Sequence, residues 1–263
     1  MAIKLYWHRG SGRSDAGQRN FGDYLSPLIV EAVSGRSVKY APLKEAEMMA
    51  IGTILANEYK AKRYGFKRKV HVWGSGCGQP DERFSSRHYY HAVRGKETAQ
   101  RVIGQPVISA FGDPGLLAEM LVKRPIQKKY KIGFVAHYVD RDRPEAIAFA
   151  ATDGVHSINV FDEPRDVLHQ IAACEFIVSS SLHGLVVADA YGVPNLRVRL
   201  SRGLIDELKF DDYYSAFNLS APQPLTSDKL ASLAAAPEWI ADGYSRPGLA
   251  GIQDDLIKHF PKI

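Results

Sequence analysis

The stretch Glu175–Arg199 brings together side chains able to hold an anion and to move a proton. It reads Glu-Phe-Ile-Val-Ser-Ser-Ser-Leu-His-Gly-Leu-Val-Val-Ala-Asp-Ala-Tyr-Gly-Val-Pro-Asn-Leu-Arg-Val-Arg. Ser179, Ser180, Ser181 and His183 fall at the junction between an apolar run and a helical run. At such a helix N-terminus the unpaired N–H groups and the positive end of the helix dipole favour phosphate or carboxylate. A histidine there adds a charge-assisted hydrogen bond or transfers a proton. The same residues would also suit an ordinary βαβ crossover whose histidine packs under a loop.

Two further positions carry chemistry of the same kind. His137 ends the apolar run Ile132–Ala136, just before the polar loop Tyr138–Arg143. Arg94 follows the short run His91–Val93 and precedes Gly95, where a guanidinium can clamp a carboxylate or phosphate. Other site types are poorly matched. Gly10-Ser11-Gly12 and Gly74-Ser75-Gly76-Cys77-Gly78 lack the remaining glycine or the Lys-Ser/Thr of the nucleotide fingerprints. His88 and His91 have no cysteine or carboxylate at a metal-ligand distance, so no metal is expected. Ser181 lacks the Gly-x-Ser-x-Gly turn of a serine nucleophile.

The elements that must position these groups alternate between strand and helix. Phe176–Val178 predicts a buried strand, Ser180 or Ser181 a hydroxyl N-cap, and Leu182–Ala190 a short helix stopped by Gly192 and Pro194. Leu196 and Val198 then face one side of a strand, Arg197 and Arg199 the other. Upstream, Ile3–Trp7, Val70–Trp73, His91–Val93 and Val107–Ala110 read as strands. Asp23–Val33, Glu45–Tyr59, Lys96–Ile103 and Leu116–Leu121 read as helices. After the polar stretch Lys123–Lys131 a second series begins: strands Ile132–Ala136 and His156–Phe161, helices Pro144–Ala151 and Pro164–Cys174, and a terminal helix Ile252–Phe260. The pattern predicts an α/β protein with two Rossmann-like domains facing a cleft, residues 1–124 and 125–263. The terminal helix is free to pack back on the first.

Composition sets the class. The chain has 263 residues, 45% hydrophobic and 24% charged, as in a soluble globular protein with a proper core. No run approaches the roughly 20 apolar residues of a membrane span, and the opening residues lack the h-region of a signal peptide. With Cys77 and Cys174 far apart, reduced thiols and a cytoplasmic location are expected. The net charge of +5 suits anionic partners, but the basic residues are too dispersed to indicate nucleic acid. The densest cluster, Lys60, Lys62, Arg63, Lys67, Arg68 and Lys69 with Tyr59, Tyr64 and Phe66, reads as a solvated helix end and loop or as a peripheral contact with an anionic membrane.

An ordered set of blocks resembles the polysaccharide pyruvyltransferase family, closest to the ketal pyruvyltransferases of bacterial exopolysaccharide synthesis, the xanthan type among them. The blocks are Asn20-Phe21-Gly22-Asp23-Tyr24-Leu25-Ser26, Val72-Trp73-Gly74-Ser75-Gly76, Ala92-Val93-Arg94-Gly95 and Gly112-Asp113-Pro114-Gly115-Leu116-Leu117. The strand ending at His137, then Glu175–Leu185 and Lys209-Phe210-Asp211-Asp212-Tyr213-Tyr214 complete the set. The resemblance implies a glycosyltransferase-B-like fold and phosphoenolpyruvate as co-substrate, with neither cofactor nor metal. The C-terminal domain would hold this donor through Ser179, Ser180, Ser181, Leu182 and Gly184. Many relatives have an arginine before the Leu-His pair where this chain has Ser181, so Arg94 or Arg197 would supply the cation. His183 is the expected general acid, and His137 the second candidate or a phosphate ligand. Asp23 would orient or deprotonate the acceptor hydroxyl, or else cap its helix, with Asn20, Gly22, Gly74, Ser75 and Gly76 on the acceptor side. The implied acceptor is a polyprenol-diphosphate-linked oligosaccharide at the cytoplasmic face of the inner membrane. A nucleotide-sugar glycosyltransferase of the same fold and a non-catalytic carbohydrate-binding module are the alternatives.

Overall fold

Short apolar strands build two parallel sheets in the computed structural model, which describes residues 1–10, 19–57, 69–235, 240–242 and 244–263. The first sheet has the order β2-β1-β3-β4-β5-β6, with β1 Ile3–Tyr6, β2 Val38–Tyr40, β3 Met48–Met49, β4 His71–Trp73, β5 Tyr89–Val93 and β6 Ala110–Phe111. The second has the order β11-β10-β9-β7-β8, with β7 Tyr130–Val135, β8 Val155–Ser157, β9 Cys174–Ser179, β10 Asn195–Arg199 and β11 Leu225–Thr226. The described helices are α1 Phe21–Ser34, α2 Lys96–Gln100, α3 Pro144–Ala150, α4 Pro164–Ala172, α5 Leu182–Ala190, α6 Leu208–Ser215, α7 Leu230–Ala235 and α8 Leu249–Lys258. 3-10 helices at Pro114–Met120 and Ser227–Lys229 are also present. The expected α/β class with two Rossmann-like sheets is therefore what the chain adopts.

Helix ends follow the sequence rules. Gly35 closes α1 in the left-handed region at φ 65°, a conformation that costs glycine least. Pro144 and Pro164 open α3 and α4, where the missing N–H is no loss. The chief departure is the helix expected at Glu45–Tyr59. Met48–Met49 instead forms β3, between β1 and β4 in the middle of the first sheet. An apolar run such as Met48-Met49-Ala50-Ile51, buried throughout, carries no periodicity to separate helix from strand. A second departure is at Val107–Ala110, of which only Ala110 joins β6.

One apolar core runs through both sheets, joining Ile3, Leu5, Leu25 and Trp73 to Val135, Ile171, Ile177 and Val187. The backbone N–H of Phe21 donates to the Val160 carbonyl at 2.8 Å, and the 3-10 helix Pro114–Met120 packs against both α1 and α5. The terminal helix α8 returns to the first sheet, where Trp73 Nε1 donates to the Leu256 carbonyl at 2.9 Å. Cys77 and Cys174 are free, buried thiols. No helix among the described residues is long and apolar enough to cross a membrane. Most of the basic-aromatic segment Tyr59–Lys69 lies outside the described residues; Lys69 stands 5.5 Å over the Tyr89 ring.

Candidate active site

The parallel register of β7 with β9, which pairs Val135 with Ser179, brings His137 and the Ser179–Ser181 turn to the same end of the second sheet. The three serines divide their work. Ser179 is fully buried, and its hydroxyl accepts from the Ser181 N–H at 3.0 Å. Ser180 accepts from the His137 N–H at 2.9 Å, fixing the backbone that carries this histidine. Ser181 occupies the N-cap position of α5 but makes no side-chain capping bond, a correction to the hydroxyl cap expected there. The first-turn N–H groups of α5 are thereby left for an anion in the cleft. Asp189 anchors the helix, accepting from Tyr213 Oη and Arg246 Nε at 2.6 Å each.

His183 lies in the first turn of α5 with its side chain 14% exposed. Its Nε2 is buried without a hydrogen-bond partner, 3.8 Å from the equally buried Oδ2 of Asp113. The Nδ1–Cγ edge of its ring packs against the start of α1, where a Cβ built on Gly22 would stand 2.6 Å from His183 Cγ and closer still to Nδ1. Burial, then the charges of Lys209 and Arg94, push the His183 imidazole down to about 3. Burial, Lys209 and His183 do the same to His137, also to about 3. Both rings are therefore neutral near pH 7.

Between the sheets opens a cavity of about 480 Å³, within the range of small-ligand sites. One wall carries His137, Tyr138, Ser181, Leu182, His183 and Lys209, with the carboxylate of Asp206 beside the lysine. The other carries His8, Asn20, Asp23, Thr53 and Asn57. Asn20 Oδ1 accepts from the Gly22 N–H at 2.9 Å and so takes the N-cap of α1, which leaves Asp23 on the cavity wall. Among the described residues lining this cavity, Lys209 is the side chain that is cationic at neutral pH; burial and the charge of Arg94 lower it to about 8.

Several expected site residues are placed elsewhere. Arg94 is 0% exposed; its Nε donates to Asp212 Oδ2 at 2.9 Å, its Nη1 to Thr53 Oγ1 at 3.1 Å and its Nη2 to the Cys77 carbonyl. It is not the expected anion clamp, but stands behind Thr53 and reaches the cavity only through its field. Arg197 is likewise buried, ion-paired with Glu207 and 3.5 Å above the Phe210 ring, away from the cavity lining. Gly74, Ser75 and Gly76 do not line it either. A side chain on Gly74 would meet Pro114, one on Gly76 the Arg94 guanidinium, and the Ser75 hydroxyl donates to the Ala50 carbonyl. Gly184 packs against Ser179 and Val135 beneath the turn.

The buried Arg94–Asp212 pair is completed by the Thr98 N–H and hydroxyl, both donating to Asp212 at 2.8 and 2.7 Å. Asp212→Ala would strand the guanidinium, and a stability loss of about 3 kcal/mol is expected in equilibrium urea unfolding. A loss below about 1 kcal/mol would show that the pair is not an essential brace. Lys209, Thr53, Asn57, His8 and Asp113 were not singled out from sequence as site residues. Lys209 and Asp113 do occur within blocks that carry the resemblance, whereas Thr53 and Asn57 lie in the misread segment 45–59.

A parallel α/β scaffold with an anion-ready helix terminus and two neutral histidines in its cleft suits group transfer from an anionic donor. The family model described as Polysaccharide pyruvyl transferase matches residues 64–201, more than half of the chain. The chain belongs to that family, and is a transferase by that membership. It is 28% identical over 211 residues to succinoglycan biosynthesis protein ExoV of Rhizobium meliloti (strain 1021), the match covering 79% of this chain and 62% of ExoV, less than two thirds of it. It is 27% identical over 233 residues to uncharacterized protein L143 of Acanthamoeba polyphaga mimivirus, covering 84% of this chain and 77% of that protein. Among solved structures, the uncharacterized protein KP1_0663 of Klebsiella pneumoniae aligns with a TM-score of 0.43 at 12% identity, covering 86% of this chain and 92% of that one.

Proposed function

We propose that the protein transfers pyruvate from phosphoenolpyruvate to two hydroxyls of one sugar in a lipid-linked exopolysaccharide repeat unit, forming a pyruvate ketal. The observation that carries this reading is the division of the cavity. The wall formed by α5 and Lys209 offers helix N–H groups, a cation and two imidazoles, which suits a phosphate and a carboxylate. The opposite wall offers Asn20, Asp23, Thr53 and Asn57, a set of carboxamides, a hydroxyl and a carboxylate that suits sugar hydroxyls.

In the reaction His183 protonates C3 of the enol phosphate, and the electron pair of the C2=C3 bond forms the new C–H bond. The cationic C2 is attacked by one sugar hydroxyl, whose proton passes to Asp23. Phosphate departs with the C2–O electron pair, drawn by Lys209 and the α5 terminus. The second hydroxyl then attacks C2 and passes its proton to the now neutral His183, which closes the ketal and restores the imidazolium. An acid lowered to about 3 is by itself a poor proton source at neutral pH. The negative charges of bound donor stabilise the imidazolium and raise it toward the working range. Acceptor-dependent release of phosphate from phosphoenolpyruvate, with pyruvate recovered on a lipid-linked oligosaccharide, tests the reading. Absence of both release and phosphoenolpyruvate binding would exclude it.

The electrostatics set a pH dependence. Lys209, lowered to about 8, is cationic below that pH and neutral above it. Donor binding is therefore expected to weaken as pH rises through about 8, and to draw protons onto the histidines at neutral pH. Calorimetric titration in buffers of differing ionisation heat measures both. Lys209→Arg should keep affinity to higher pH, and an unchanged profile in that variant would remove Lys209 from donor binding.

A further inference from the structure

The geometry points to Asp113 as the positioning residue of His183: its carboxylate holds the imidazole as the Nε2–H tautomer and presents Nδ1 to the cleft. The carboxylate has two oxygens with separate tasks. Oδ1 accepts from the Gly115 N–H at 2.9 Å, capping the 3-10 helix and fixing the side chain. Oδ2 is left buried without a partner, 3.8 Å from His183 Nε2, which is buried without a partner as well. Two orphaned polar atoms facing each other in a dry interior are costly apart and become complementary after a small rotation of the ring. Hydrogen bonds at such sites are commonly long before substrate arrives.

An ionised carboxylate only accepts, so the proton must sit on Nε2 and the lone pair on Nδ1. That edge of the ring lies beside Gly22, near Asn20 and Asp23 of the acceptor wall. The charged and titratable groups around the pair are Arg94 and Asp212 on the Asp113 side, and Lys209, Arg94 and His137 on the His183 side. Burial raises Asp113 to about 6, which leaves it ionised at pH 7.5. A purely structural cap would use Oδ1 alone, and asparagine caps a helix as well as aspartate does. Asp113→Asn is therefore a clean discriminator: it keeps the cap but turns an N–H donor toward Nε2.

The tautomer is read in the full chain labelled with ¹⁵N-histidine, by long-range ¹H–¹⁵N spectra at pH 7.5, with His183→Gln for assignment. Wild type should show Nε2–H for His183, and Asp113→Asn should show Nδ1–H with its melting temperature retained. The catalytic part rests on the proposed pyruvyl transfer: kcat should fall at least about 100-fold in Asp113→Asn, with the donor KM little changed. An Nδ1–H ring in wild type, or the same tautomer in both proteins, would overturn the assignment. Wild type that shows the Nε2–H tautomer and the switch but releases no phosphate would sink the transfer reading and leave the positioning role standing.

Discussion

Under the proposed pyruvyl transfer, His183→Ala should lower acceptor-dependent phosphate release from phosphoenolpyruvate by about 1,000-fold or more, as measured in a coupled phosphate assay. General acid catalysis is worth about 100- to 10,000-fold on its own. Here the same ring also sets the contour of the cavity beside the α5 terminus. The side chain is 14% exposed and makes no hydrogen bond that other elements depend on, so its loss should leave the fold intact. His183→Gln fills most of the same space without offering a proton at neutral pH, and should be equally inactive. A residual rate within 10-fold of wild type would transfer the acid role to His137, which lines the same wall.

Gly22→Ala is expected to lower turnover by about 100-fold and stability by about 1–3 kcal/mol, the cost of overpacking a filled interior, while circular dichroism shows the fold retained. Gly22 lies in the first turn of α1, where alanine is a better helix former than glycine. The added methyl nevertheless has nowhere to go. It would stand 2.6 Å from Cγ of His183 and 2.9 Å from its Cβ. These belong to the root of the ring rather than to a flexible tip. The imidazole must swing out or the two helices must part, and a displacement of about 1 Å at a reacting group costs on the order of 100-fold. Wild-type turnover in this variant would show that the close packing of α1 on His183 has no bearing on the chemistry.

The βαβ unit around His183 was legible because its signals are local: an apolar strand, a serine turn, Gly192 at φ 64° and Pro194. Of Ser179, Ser180, Ser181 and His183, two line the cavity, Ser181 and His183, with His137 delivered by the neighbouring strand. The roles of Arg94 and Gly74–Gly76 were not legible, for a physical reason. An arginine after a strand and a glycine-rich turn suit a phosphate and a buried ion pair equally well. The partner that decides, Asp212, lies 118 residues away. Asp113 was hidden by the same kind of ambiguity. Its place before Pro114 announces a cap, and only the folded chain shows that the other oxygen faces His183. Thr53 and Asn57 were lost with the misread segment around Met48, since it is the strand β3 in the middle of the sheet that delivers the residues after it to the cavity wall.

The apolar core common to both sheets has a consequence for how substrate is chosen. With Trp73 tied to α8, and α1 to the residues after β8, opening the cleft like a pair of jaws would break buried contacts on both sides at once. The aperture is fixed by folding. Affinity is then undiminished by a scarce closed population, and under the proposed function choice among sugars depends on their fit to a standing wall rather than on a closure that the right sugar triggers.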